Sequence, residues 1–241
     1  MKCIRGKQRG DGNTMNKIRK GILAIALVMG LSLVAPAVMP VAGNVQTVEA
    51  ASNKANIKKT VKNFFKYAKT MNIKKMKNYV TSDCKEKIDD LNSTPALKAF
   101  MKKRNKSLTY SIKKVKVSGK TATVKVKCKY LNSDSAYVKM LDDLFTWLLT
   151  EGINNTDYST YTEEEQQQLV DNVIKKSFAN NAKAYEKKYK TKTFTIKLKK
   201  VSGKWKISQV DKNLLDAITS NYQSAGEKYF ETWTNQTPTN Y

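Results

Sequence analysis

Apolar residues first recur at helical spacing. Ile57, Val61, Phe64, Phe65 and Ala68 share one face, with Lys58, Lys59, Lys62, Lys66 and Lys69 mostly opposite, which predicts an amphipathic helix with a lysine side. Asn72 reads as the cap of a short second helix carrying Ile73, Met76 and Tyr79. Asp83 starts a further turn or helix toward Leu91. Thr94-Pro95 reads as N-cap and first helical position, leading to Leu97, Phe100 and Met101.

The period then changes to two. Residues 109–117 predict a strand whose alternation slips at Lys113-Lys114, as at a β-bulge. Ser118-Gly119 is a turn. In residues 121–130, Ala122, Val124, Val126, Cys128 and Tyr130 alternate with Thr121, Thr123, Lys125, Lys127 and Lys129, the pattern of a half-buried antiparallel strand. A second hairpin places Phe194, Ile196 and Leu198 against Thr195, Lys197 and Lys199, turns at Ser202-Gly203 and returns through Trp205 and Ile207. The phrase Val-Ser-Gly-Lys occurs at both turns, ending at Lys120 and Lys204, and predicts two similar hairpins.

Helical patterns fill the interval. Asp134 reads as the cap of a helix bearing Tyr137, Met140, Leu141, Leu144, Phe145, Trp147 and Leu148. After a polar linker, Thr162 with Glu165 forms a capping box opening a long helix through Leu169, Val170, Val173, Ile174, Phe178, Tyr185 and Tyr189. Leu214, Leu215 and Ile218 form a helix after Asp211, and residues 235–241 read as a disordered end. Helices, hairpin, helices, hairpin, helix is an α+β order: a curved antiparallel sheet of about four strands packed against the N-terminal helices, covered on one face. The predicted domain covers residues 52–222, with a helical insertion at 132–190 between the hairpins and a C-terminal tail at 223–241.

The N-terminal region has another logic. Residues 21–48 carry no charge and follow Lys17, Arg19 and Lys20, and the run passes Pro36 and Pro40 to a small-residue site with cleavage expected after Ala50 or Ala51. This is a signal peptide over residues 1–51, with Met15 as the start and residues 1–14 upstream of it. An uncleaved membrane anchor is the competing reading, since about 20 apolar residues suffice to span a bilayer. No Cys follows the apolar run to accept a lipid. The expected product is secreted, in the envelope of a Gram-positive bacterium, whose long signals this one resembles.

Charge sharpens the picture. The 241 residues carry a formal net charge of +25 from 45 Lys+Arg against 20 Asp+Glu. Beyond residue 51 the only arginine is Arg104, so the charge is a diffuse lysine field and not a set of bidentate forks. Residues 132–172 reverse the sign: Asp134, Asp142, Asp143, Glu151, Asp157, Glu163, Glu164, Glu165 and Asp171 face one base, Lys139. There is no histidine, which excludes Ser-His-Asp and Cys-His nucleophiles and His-ligated metal sites. Cys84 and Cys128 read as two buried thiols; export permits a bridge, but two cysteines make no framework.

The element order, with Val61-Lys-Asn-Phe-Phe65, Tyr79-Val-Thr81, Gly203-Lys-Trp-Lys-Ile207 and the helix Asn213-Leu-Leu-Asp-Ala-Ile218, resembles the NTF2-like (cystatin-like α+β) superfamily. In particular it is similar to uncharacterised secreted Gram-positive domains of that superfamily, over most of residues 55–222. The resemblance implies a cone-shaped sheet over helices. The superfamily spans enzymes, transport factors and binding modules, so it implies no activity.

Enzymes of that superfamily use carboxylates, Tyr and His inside the cone, and the inward strand positions here hold no carboxylate. A general base would have to come from a helix. No metal or cofactor is expected: acidic runs on one helix diverge by about 100° per residue. Lys113, Lys125, Lys127, Lys129, Lys197 and Lys199 are the candidate polyanion-binding residues, with like charges expected to face each other if the hairpins adjoin. The bland alternative is a solvated face. Expected partners are anionic cell-wall polymers or lipid headgroups, with no nucleic acid, and a second copy of the chain in a homo-oligomer joining the acidic insert to the basic surface. Tyr110, Tyr130, Trp147 and Trp205 are candidate cavity-lining residues, for a small-molecule carrier or enzyme; a self-associating structural envelope protein is the third reading.

Overall fold

The structure, a computed structural model, describes residues 48–92, 94–152, 161–181 and 188–236. Most of the predicted signal segment, Asp157, Tyr185 and residues 237–241 of the tail lie outside them; Ala50 and Ala51 fall in the first turn of the opening helix.

That helix, α1 (Val48–Lys69), buries Ile57, Val61, Phe64, Phe65 and Ala68 and exposes Lys58, Lys59, Lys62 and Lys66. After Met71, in the left-handed region, Asn72 caps α2 (Ile73–Met76) by accepting from Lys75 N at 3.1 Å. A 3-10 turn, Lys77–Tyr79, and another at Ser82–Cys84 lead to α3 (Lys85–Asp89). Thr94 caps α4 (Pro95–Asn105), its hydroxyl accepting from Leu97 N.

Four strands follow as one antiparallel sheet in chain order: β1 (Thr109–Ser118), β2 (Thr121–Leu131), β3 (Tyr189–Val201) and β4 (Lys204–Ile207). The sheet is open, not closed into a barrel. The predicted slip is real: the β1–β2 register shifts between Ile112 and Lys114, leaving Lys113 without a partner across the ladder. The bulge reconciles two phases of the sequence, because Tyr110 and Ile112 before it and Val115 and Val117 after it all turn toward the core.

The two Val-Ser-Gly-Lys turns differ. Ser118 pairs with Thr121, so Gly119-Lys120 is the loop, with positive φ at Gly119 alone, the pattern of a type II′ turn. Val201 pairs with Lys204, so Ser202-Gly203 is the loop, with φ 46° and 76°, the pattern of a type I′ turn. The same four letters are used in frames one residue apart.

Between β2 and β3 lie α5 (Asp134–Trp147), a π-helical turn (Leu148–Gly152) and α6 (Glu163–Asn180). The capping box predicted for α6 is present, with Thr162 and Glu165 bonded reciprocally. Ser133, not Asp134, occupies the N-cap position of α5, and Asp134 instead accepts from the Asn221 side chain. Tyr189 belongs to β3 rather than the long helix; it pairs with Leu131, extending the β2–β3 ladder. After β4, Asp211 caps α7 (Lys212–Thr219), and Ser220-Asn221, both with positive φ, reverse the chain into α8 (Tyr222–Gln236). Much of the segment read as a tail is therefore an ordered helix, fastened by Tyr229 and Phe230 against Phe145 of α5.

The inner sheet face is covered by α1, α4 and α7, and α5, α6 and α8 pack on those helices and on one another. Phe100, Tyr137, Phe178 and Tyr222 join the layers: Phe100 stacks on Phe178 at 3.9 Å, and Tyr137 meets Tyr222 edge-on at 4.9 Å. The insert is thus a second helical layer bolted through aromatic rings, each worth about 3–5 kcal/mol against truncation to Ala.

Candidate functional site

The outer sheet face is built by alternation. With Val124, Val126, Cys128, Phe194, Ile196 and Leu198 buried inward, their strand neighbours are driven outward. On β2 these are Thr121, Thr123, Lys125, Lys127 and Lys129; on β3, Thr191, Thr193, Thr195, Lys197 and Lys199. β1 adds Lys114 and Lys116, and β4 adds Lys204 and Lys206. Lys113 is exposed at the bulge. The four strands contain no Asp or Glu.

The register corrects one expectation. The hairpins adjoin through β2 and β3, yet across that seam Lys125, Lys127 and Lys129 oppose Thr195, Thr193 and Thr191, while Lys197 and Lys199 oppose Thr123 and Thr121. Ammonium groups therefore sit beside hydroxyls, avoiding the direct like-charge penalty. Direct lysine pairs occur only nearer the edges, Lys114 with Lys125 and Lys199 with Lys206. Among the described residues Lys113, Lys114, Lys116, Lys125, Lys127, Lys197, Lys199 and Lys204 are in no ion pair. Lys129 lies 4.5 Å from the centroid of the Tyr189 ring, and Lys206 donates to Asn78 O. The face thus offers unneutralised cations about 7 Å apart along a strand, separated by hydroxyls on the neighbouring strand.

The four aromatic candidates each have different partners. Tyr110 stacks on Phe65 at 4.4 Å. Tyr130 is buried, with its hydroxyl 3.5 Å from Asn221 Oδ1. Trp147 donates to Glu151 on the helical layer, and Trp205 is buried under α1, donating to Asn53 Oδ1 at 3.2 Å. Of the four, Tyr110 alone lines the open groove of about 560 Å³ beside β1, together with Thr109, Ile112, Lys58, Lys62 and Lys69.

A buried carboxylate does come from a helix. Asp216 is fully buried, and its oxygens accept from Ser224 N at 2.9 Å and Ser224 Oγ at 2.6 Å. Burial raises its pKa, opposed by those bonds and by Lys192 and Lys212. It caps the start of α8 and does not line the groove. Around it, Asn105 donates to Ala68 O at 3.0 Å and to Ile218 O, Ser220 Oγ donates to Asn105 Oδ1, and Tyr137 donates to Thr219 O at 2.6 Å. This polar knot holds the left-handed corner at Ser220-Asn221.

The acids of the insert are largely occupied. Lys139 bridges Asp142 and Asp143, Asp171 accepts from Ala96 N at 2.6 Å, and Glu165 closes the capping box. Cys84 and Cys128 are buried free thiols, as read from the sequence, and burial pushes the Cys128 pKa up to about 12. Among the described residues no three acidic or cysteine side chains group as a metal site, and no helix is long and apolar enough to cross a membrane. No protein-family model, curated protein or solved structure matches the chain.

Proposed function

We propose that this is an exported, non-catalytic binding module of NTF2-like type, which uses its lysine–threonine sheet face to hold anionic polymers of the cell envelope. The supporting observation is the outer face itself. It carries lysines without ion-pair partners on all four strands and no carboxylate, on the side of the sheet away from the helices. A surface of one sign attracts polyanions over a Debye length, about 8 Å at physiological ionic strength. The threonine hydroxyls supply neutral donors between the cations. Lysine heads without guanidinium forks suit a flexible polymer presenting repeated charges better than one planar group. The alternative of assembly through the acidic insert is weakened because most of its described carboxylates are already bonded within the molecule.

The test is retention of the protein on isolated cell walls over a salt series. The expected result is release by salt, with K125E/K127E/K129E retained least. Retention independent of salt, or unchanged in that variant, would remove the proposal.

A further inference from the structure

We infer a second binding site, separate from the lysine face: the first four residues of β1 form a docking edge that takes an extended acidic peptide as a fifth strand. β1 ends the sheet, and among the described residues no strand pairs with its outer side. The opposite edge is different. There Val80 bridges Ile207 and Thr81 N donates to Ile207 O at 2.9 Å, so β4 is partly capped by the chain itself. An uncapped strand edge presents amide and carbonyl groups ready to pair with another chain.

The open groove lies along this edge. Its strand wall is Thr109, Tyr110 and Ile112, and its helix wall is Lys58, Lys62 and Lys69. The lysine spacings, four and seven residues, place them on one flank of α1, beside Phe65, on which Tyr110 stacks. Among the described residues none of the three ammonium groups has an ion-pair partner, and no acid lines the groove. The Lys58-to-Lys69 row runs about 16 Å along the helix. That is too long for one small anion, but it suits an extended chain of four or five residues at about 3.4 Å each. Such a chain hydrogen-bonds to β1 and points every second side chain at the lysines.

Charge selects the occupant. A second copy pairing its own β1 here would bring both lysine rows, and Lys113, Lys114 and Lys116 of both copies, against each other. An acidic peptide neutralises them. The bulge at Lys113 stops the pairing by bending the strand and starting the lysine-guarded half of the edge. The usable edge is therefore Thr109–Ile112, and the site is a short, weak, reversible one.

The experiment titrates the full chain with a capped octapeptide of alternating Asp and Val. It is compared with the same peptide N-methylated at alternate residues, and with inorganic polyphosphate. The expected result is binding of the unmodified peptide with slowed amide exchange confined to residues 109–112. N-methylation should abolish binding. K58E/K62E/K69E should weaken it about tenfold, and K197E/K199E, on β3 at the far end of the sheet, should change it less than about twofold. Equal binding of the N-methylated peptide, or polyphosphate displacing the peptide without exchange protection at β1, would replace strand addition by simple polyanion attraction and overturn the inference. The two sites fail separately, because polyphosphate binding lost in K197E/K199E while peptide binding persists reports only on the sheet face.

Discussion

Asp216 holds Ser224 with both carboxylate oxygens while lying out of water, so it stabilises the α7–α8 corner and resists ionisation there. A carboxyl whose folded pKa lies above its unfolded value binds more protons folded than unfolded in the interval between the two. Stability therefore falls as pH rises through that interval, and the penalty is complete above the folded pKa. Asp216→Asn removes the titration and should flatten this part of the profile relative to wild type, measured by urea unfolding from acidic to neutral pH. Asp216→Ala should instead cost stability, about 1–3 kcal/mol, by stranding the Ser224 donors. Cys84 and Cys128 give a second residue-scale expectation: an aromatic disulfide reagent should modify neither in the native protein and both in denaturant. The buried thiol of Cys128 was legible from strand alternation. Asp216 was not, because Leu-Leu-Asp-Ala-Ile reads as a helix with its acid toward water, and only the return of α8 over that side buries it.

At the scale of elements, local patterns decided most of the outcome. The caps at Asn72, Thr94, Thr162 and Asp211 and the bulge at Lys113 each followed from side-chain chemistry within a few residues. Failures came where a partner distant in sequence decided. Tyr189 fits the helical period of α6, but pairing with Leu131 makes it strand. Tyr229 and Phe230 fall in the predicted tail, and only the packing of Phe145 from α5 makes that segment part of the fold. The repeated turns follow the same rule. Gly203 has φ 76°, and a Cβ added there would meet nothing within 4 Å, so Gly203→Ala should cost about 1–2 kcal/mol through backbone strain alone, read from urea unfolding. Ser202, with φ 46°, sits where Asn is preferred in type I′ turns, so Ser202→Asn should raise the melting temperature slightly.

For the whole molecule, an α+β order and two lysine-bearing hairpins were legible in the amino acids, because period and sign are written locally. Which lysine meets which residue was not. That depends on the β2–β3 register, which the buried faces of both strands set together, and it turned expected repulsion into lysine–threonine neighbours. If the face holds polyanions by counterion release, K125A/K127A/K129A should lower the slope of log affinity against log salt by about three, measured with inorganic polyphosphate. A change in affinity with no change in slope would mean that those ammonium groups do not meet the charges.

The separation of strands from the outer helices also has a consequence for handling the protein. On silica or a cation-exchange bead the molecule should land sheet-first, leaving the insert facing the bulk liquid. A dye attached at Gln166 on α6 would then remain quenchable by dissolved iodide, whereas one at Thr193 would be shielded by the support.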